Sequence, residues 1–156
     1  EWKGFDVSIF FQGTARVSIF EEGSTIVPFT SGYKNNNGFL KGVMEDRWTI
    51  DNPNPNARYP RTIRPSDALD NNNTKKSSFW VRNAAFLRLK NAEIGYTFPK
   101  RWVEKMALQN LRLYVSGVNL LTWAPDVKLF DPELGSGDGR KYPPTRVFNV
   151  GLNINF

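Results

Sequence analysis

The stretch Thr145–Phe156, TRVFNVGLNINF, constrains the fold more than any other part of the chain. Phe148, Val150, Leu152, Ile154 and Phe156 are apolar, and the intervening Asn149, Gly151, Asn153 and Asn155 are polar or small. A period of two marks a β-strand with one apolar and one wet face. Soluble proteins seldom end on such a strand, because an exposed edge invites pairing with other chains. The pattern predicts a strand paired along both edges, with its apolar face against lipid.

Residues 5–20, FDVSIFFQGTARVSIF, repeat the pattern. Phe5, Val7, Ile9, Phe11, Gly13, Ala15, Val17 and Ile19 are apolar or small, against a mostly polar set that includes Asp6, Ser8, Gln12, Thr14 and Arg16. A single strand of this length, at about 3.3 Å per residue and a tilt near 40°, rises roughly 40 Å. That exceeds an apolar band about 25 Å tall, so the strand is expected to project beyond one membrane face.

Composition narrows the class. No run approaches the roughly 18 apolar residues of a spanning helix. Yet 14% of the 156 residues are aromatic, with five Trp and twelve Phe in a chain only 40% hydrophobic. A transmembrane barrel produces this combination, since only alternate strand residues must be apolar. A secreted β-sandwich produces it too. The chain begins at Glu1 with nothing resembling a signal peptide, which predicts a processed chain or a fragment.

Chemistry has little footing. There is no Cys, which excludes disulfides and thiol catalysis, and no His, which removes the usual zinc ligand and general base. No nucleophile elbow or phosphate-cradling loop occurs, and the adjacent Glu45 and Asp46 read as solvated loop charge. No catalytic residue is assigned. The net charge of +6 comes from 21 basic residues scattered among 15 acids, the pattern of a solvated or headgroup-facing surface and not of nucleic-acid binding. Residues 131–138, DPELGSGD, offer oxygen ligands of the kind calcium prefers but lack the regular order of a calcium loop. A packed turn is the better reading, and no metal or cofactor is otherwise expected.

The remaining segments supply the connections. Residues 21–77 carry Pro28, Pro53, Pro55, Pro60 and Pro65 with Asn runs at 35–37 and 71–73, and predict an irregular loop with one helical turn near Val43–Arg47. So long a loop normally counts against an assignment, but one rim of an outer-membrane barrel carries long loops. Tyr33, Trp48 and Tyr59 argue for a folded loop, because disordered segments are poor in aromatics; a disordered linker is the plainer alternative. A second strand over about 79–98 shows a slip in parity. Ala92, Ile94 and Tyr96 share one face, whereas Leu87 and Leu89 fall on the other unless an extra residue sits near Lys90–Asn91. A β-bulge there restores all five to one face; alternatively the upper half stands above the membrane and needs none. Residues 99–110 predict a short helical turn with Trp102, Val103 and Met106 on one side. A third strand follows at 111–123, a second loop at 124–144, and a final strand at 145–156. Both long connections then fall on one rim and the short turn on the other. Tyr96, Phe98, Trp102 and Phe156 gather at the short-turn end, with Trp123 and Trp80 towards the other, as an interfacial aromatic belt requires.

In order and spacing, Trp2–Gly13 (WKGFDVSIFFQG), Phe79–Pro99 (FWVRNAAFLRLKNAEIGYTFP), Leu111–Trp123 (LRLYVSGVNLLTW), Asp131–Glu133 (DPE) and Tyr142–Phe156 resemble the C-terminal end of a SusC/RagA-type TonB-dependent outer-membrane transporter. The resemblance implies an all-β transmembrane antiparallel barrel of about 22 strands, of which these are the last four, in the outer membrane of a member of the Bacteroidota. It implies a plug and a TonB-contacting segment lying outside this chain, a SusD-like surface lipoprotein partner, and uptake of oligosaccharides or peptides without catalysis. It also implies contact with lipid and lipopolysaccharide, and recognition of Phe148, Val150, Leu152, Ile154 and Phe156 by the barrel-assembly machinery. On this reading Asp6, Ser8, Gln12, Arg112, Tyr114, Asn149 and Asn153 face the lumen. Tyr96, Phe98, Trp102 and Trp123 form the aromatic girdle, and Arg146 marks the height of the outer headgroups. Loops 21–77 and 124–144 face outside, offering Trp48, Tyr59 and Trp80 to substrate or partner. The rival class is a soluble carbohydrate-binding sandwich in which the same three aromatics stack on sugars.

Overall fold

The computed structural model describes residues 2–23, 25–27, 40–62, 73, 75–137 and 139–156. The chain forms two compact units. One comprises Glu1–Ala15, Ala85–Pro125 and Pro143–Phe156, and the other Arg16–Ala84 and Asp126–Tyr142.

The first unit is a four-stranded antiparallel sheet. Its strands are β1 (Phe5–Thr14), β4 (Phe86–Thr97), β5 (Asn110–Trp123) and β6 (Val147–Asn155), adjacent in that order. A helical turn α2 (Lys100–Val103), continued as a 3-10 turn over Glu104–Met106, joins β4 to β5. Pro99 starts this turn and Ala107, left-handed at φ 55, ends it. The two long excursions of the chain both leave the sheet at its other end, where Thr14 pairs with Phe86 and Leu87 with Trp123.

The sheet is bulged in a graded way. Phe10 and Phe11 of β1 are consecutive, but their partners Asn91 and Leu89 are separated by Lys90. Across the next ladder Leu89 and Asn91 pair with Leu121 and Val118, separated by Asn119 and Leu120. Each strand thus carries one more residue than its neighbour at the same height. Asn119 turns the corner at φ 54, a left-handed conformation that asparagine adopts more readily than most residues. Such insertions bend a strand and increase its twist, as a curved wall requires.

The strand expected over residues 5–20 is shorter in the structure. The ladder stops at Thr14, and Arg16 at φ 57 breaks the extended backbone that a longer strand needs. Ser18–Phe20 (β2) pairs instead with Val81–Asn83 (β3) in a separate two-stranded ribbon. Residues 79–98 are likewise divided, by Ala84 and Ala85, into β3 and β4. No single strand therefore runs from Phe5 to Phe20. In the turn, Val103 alone of the three expected apolar residues is buried; Trp102 and Met106 are exposed.

The second unit is built around small apolar clusters. Ile26, Val27, Val43, Tyr59 and Trp80 form one, Ile19, Ala84 and Val127 another, and Phe130 packs against both. A short helix α1 (Lys41–Glu45) places Val43 in the first cluster, and a 3-10 turn over Ser78–Trp80 delivers Trp80 to it. Residues 40–62 are therefore folded, whereas Tyr33, Pro28, Pro65, the Asn run at 35–37 and Asn71 and Asn72 lie outside the described residues.

Burial is inverted relative to a soluble domain. The buried apolar side chains lie almost wholly in the loop-built unit, while the long regular sheet leaves its large apolar residues exposed. No helix among the described residues is long and apolar enough to cross a membrane.

Candidate functional site

The register sorts the sheet into two faces. Phe5, Tyr96, Leu113 and Leu152 stand in one rung, and Val7, Ile94, Val115 and Val150 in the next. Ile9, Ala92, Gly117 and Phe148 form a third. The bulge at Lys90 brings Leu87 and Leu89 onto the same side as Ala92, Ile94 and Tyr96, opposite Gly13 and Phe11. Exposure is high over much of this face, reaching 64% at Val7, 69% at Phe148 and 75% at Val150, while Leu89, Ala92 and Tyr96 are half-buried and Gly117 is buried. Leu152, Ile154 and Phe156 continue it to the short-turn end. There Phe5 and Tyr96 approach to 4.7 Å between ring centroids, Tyr96 and Phe98 to 5.0 Å, and Phe98 and Trp102 to 6.5 Å. Trp123 is exposed at the other end of the same face, beside Leu87. Arg146 directly precedes β6, which begins at Val147 and not at Thr145.

The other face is polar and closely knit. Asp6, Gly95, Tyr114 and Gly151 form one rung, and Ser8, Glu93, Ser116 and Asn149 the next. Arg112, paired with Asn153, reaches diagonally to the neighbouring strands. Its Nε donates to Asp6 Oδ2 at 3.0 Å and its Nη2 to Glu93 Oε1 at 2.7 Å, with a second donation from Nη2 to Asp6 Oδ1. The guanidinium crosses over Gly95, and the Tyr114 ring lies over Gly151; a β-carbon at either glycine would collide with them. The Arg112 cation sits 5.2 Å from the Tyr114 centroid, within cation–π range. A hollow of about 290 Å³ opens beside this network, lined by Ser8, Asn91, Glu93 and Ser116 together with Ala92, Gly117 and Val118. Gln12 pairs with Arg88 on the same face, and Arg88 is fully buried.

The seven polar residues read from the alternation therefore share one side of the sheet. Glu93, Gly95, Gly151 and Arg88 belong with them and were missed. The available signal was glycine at polar-face positions close to Arg112 and Tyr114, since a side chain crossing a strand needs a residue without one beneath it.

The loop unit has its own polar centre. Glu21, only 1% exposed, accepts from Arg82 Nε at 2.8 Å and Arg58 Nη2 at 3.4 Å. Arg58 Nη1 also donates to Asp126 Oδ1 at 2.9 Å, and the Asn83 backbone N–H donates to Asp126 Oδ2 at 2.8 Å. Desolvation opposes ionisation of Asp126, but the Asn83 amide and the Arg58 guanidinium outweigh it and hold its carboxyl below the usual range. Burial, reinforced by the charge of Glu21, pushes the Tyr59 hydroxyl up.

Of the three aromatics expected to meet substrate, Tyr59 and Trp80 are core residues, at 2% and 4% exposure. Their rings supply the apolar interior of the unit. Trp48 is half-buried. Trp80 contributes one wall of a hollow of about 220 Å³ shared with Phe20, Glu22 and Lys76. In the acidic loop Asp131 caps its own 3-10 turn, accepting from the Glu133 amide at 3.0 Å; Asp138 lies outside the described residues. Among the described residues no three acidic side chains gather to hold a metal ion.

No family model matches the chain. Two proteins of Formosa agariphila, TonB-dependent receptor P26 and TonB-dependent receptor P3, are each 31% identical to it over 99% of its length. The chain spans only 16% and 15% of those proteins. TonB-dependent receptor SusC of Bacteroides thetaiotaomicron is 33% identical over 51% of the chain. The whole chain superposes on 16% of a chain of the RagAB peptide transporter with a TM-score of 0.69 at 22% identity, a likeness of fold.

Proposed function

This chain belongs to the SusC/RagA-type TonB-dependent receptors, and on that premise we propose that it forms part of the wall of an outer-membrane import barrel. Receptors of this family are outer-membrane proteins. In this reading the four-stranded sheet supplies the last four strands of the barrel, the loops within 21–77 and 124–144 face outside, and the turn at 99–110 faces the periplasm. A barrel completed by the remaining strands imports oligosaccharides or peptides, driven by the TonB complex and served by a SusD-like lipoprotein. The barrel-assembly machinery reads the β6 apolar series ending at Phe156. RagAB, whose fold the chain shares, is a peptide transporter, which favours the peptide branch.

The observation that carries the reading is the one-sided sheet. A sandwich covers its apolar face with a second sheet about 10 Å away. Here that face is exposed, and the other described sheet consists of two three-residue strands. Lipid is the solvent that suits such a face.

Site-directed nitroxides at Val150 and Asn149 of the full receptor in bilayers test it. Val150 is expected to collide with oxygen and Asn149 with a water-soluble nickel chelate. Equal accessibility at the two positions would remove the barrel assignment.

A further inference from the structure

The turn between β4 and β5 does more than reverse the chain. Trp102 and Met106 are exposed at 49% and 52%, although they stand beside the buried Val103. Trp102 is not isolated: through Phe98 and Tyr96 its ring continues the row of aromatics that begins at Phe5 on the apolar face. The same short turn carries Lys100, Arg101 and Lys105, all exposed, against one acid, Glu104. Lys3 adds a fourth cation at this end of the sheet, its ammonium 4.7 Å from the centroid of the exposed Trp2 ring.

Resting on the barrel reading, we propose that this turn is a lipid-headgroup anchor. It inserts Trp102 and Met106 at the boundary of the acyl chains and binds anionic phospholipid in the periplasm-facing leaflet through Lys100, Arg101 and Lys105. Three features point to lipid as the occupant. The exposed apolar residues are continuous with the lipid-facing sheet. Tryptophan suits a site with one apolar and one wet side. The surplus of positive charge complements phosphate, and each basic residue near an anionic surface strengthens binding roughly five-fold. The anchor fixes the height of the β4–β5 corner, from which both strands rise.

The test uses the full receptor with a nitroxide at Met106→Cys, in vesicles of phosphatidylcholine alone and of phosphatidylcholine with phosphatidylglycerol. The label is expected at the headgroup–acyl boundary, and deeper when phosphatidylglycerol is present. In the Lys100→Gln, Arg101→Gln, Lys105→Gln variant the dependence on phosphatidylglycerol should disappear, and added salt should weaken it in the parent. A label in water under all conditions, an unchanged lipid response in the triple variant, or protection only by a soluble periplasmic protein would overturn the anchor. Labels at Val150 and Asn149 in the same samples separate the two ideas. If those still alternate, the barrel stands and only the anchor falls.

Discussion

Arg112 reaches Asp6 across Gly95, occupying the space that a side chain at Gly95 would fill. The ion pair between β1 and β5 spans the strand between them, and depends on that strand presenting no side chain at the crossing. The relationship makes a glycine inside a strand a structural requirement, although glycine ordinarily weakens strands.

Gly95→Ala should therefore destabilise the sheet. The new methyl would lie 2.6 Å from both Arg112 Cζ and Asp6 Oδ2. Overpacking of this kind costs about 1–3 kcal/mol. Denaturant unfolding of the refolded receptor in detergent checks it; a stabilised Gly95→Ala protein would contradict the crossing geometry.

Leu152→Arg and Asn153→Arg should behave oppositely. The first puts a cation on the apolar side, which in the proposed barrel costs about 2–4 kcal/mol near the bilayer midplane, while the second adds one to the polar side. The fraction of receptor that runs as the folded, heat-modifiable form should drop for Leu152→Arg and hold for Asn153→Arg. Equal yields would refute the two-faced assignment of β6.

Glu21→Ala should loosen the loop unit and leave the sheet intact. Removing the buried carboxylate strands Arg58 and Arg82 without their shared acceptor, and breaking a buried ionic network by removing one partner costs about 3–5 kcal/mol. Faster limited proteolysis between residues 40 and 62, with the sheet strands still protected, is the expected pattern.

Acid should act on the same unit through Asp126. Its carboxyl ionises at lower pH in the folded protein than in the unfolded chain, whose reference value is 3.8. The unfolded state therefore takes up a proton first, so the stabilisation is complete above pH 3.8 and is lost as pH falls through the lower folded value. Hydrogen exchange over residues 78–84 should accelerate in that window, and Asp126→Asn should abolish the pH dependence. An unchanged profile in Asp126→Asn would assign the acid sensitivity elsewhere.

Alternation made the sheet legible. Where backbone hydrogen bonds and lipid impose a strict period of two, sequence carries the face of every residue, and even the slip at Lys90 could be placed because it breaks parity. The end of β1 left no such trace. Val17 and Ile19 continue the alternation past Thr14, and nothing in an arginine announces the left-handed turn at Arg16. The burial of Tyr59 and Trp80 was illegible for a different reason: an aromatic ring in a loop looks the same whether it will cover a small core or contact a ligand. Only the packing of Ile26, Val43 and Phe130 around them decides.

The bulge at Lys90 gives β4 something like a reading frame. Below it the even-numbered residues Ala92, Ile94 and Tyr96 lie on the apolar face; above it the odd-numbered Leu87 and Leu89 do. Straightening the bulge with Lys90 retained would shift that frame, turning Leu87 and Leu89 to the polar face and Phe86 and Arg88 to the apolar one, whereas deleting Lys90 would leave the two halves in register. Loss of Lys90 should then be accommodated by loss of the bulge, whereas an inserted residue elsewhere in the strand needs a second bulge or a compensating deletion to keep the faces. The wall can change its sequence freely, but its length only in steps that respect which side is wet.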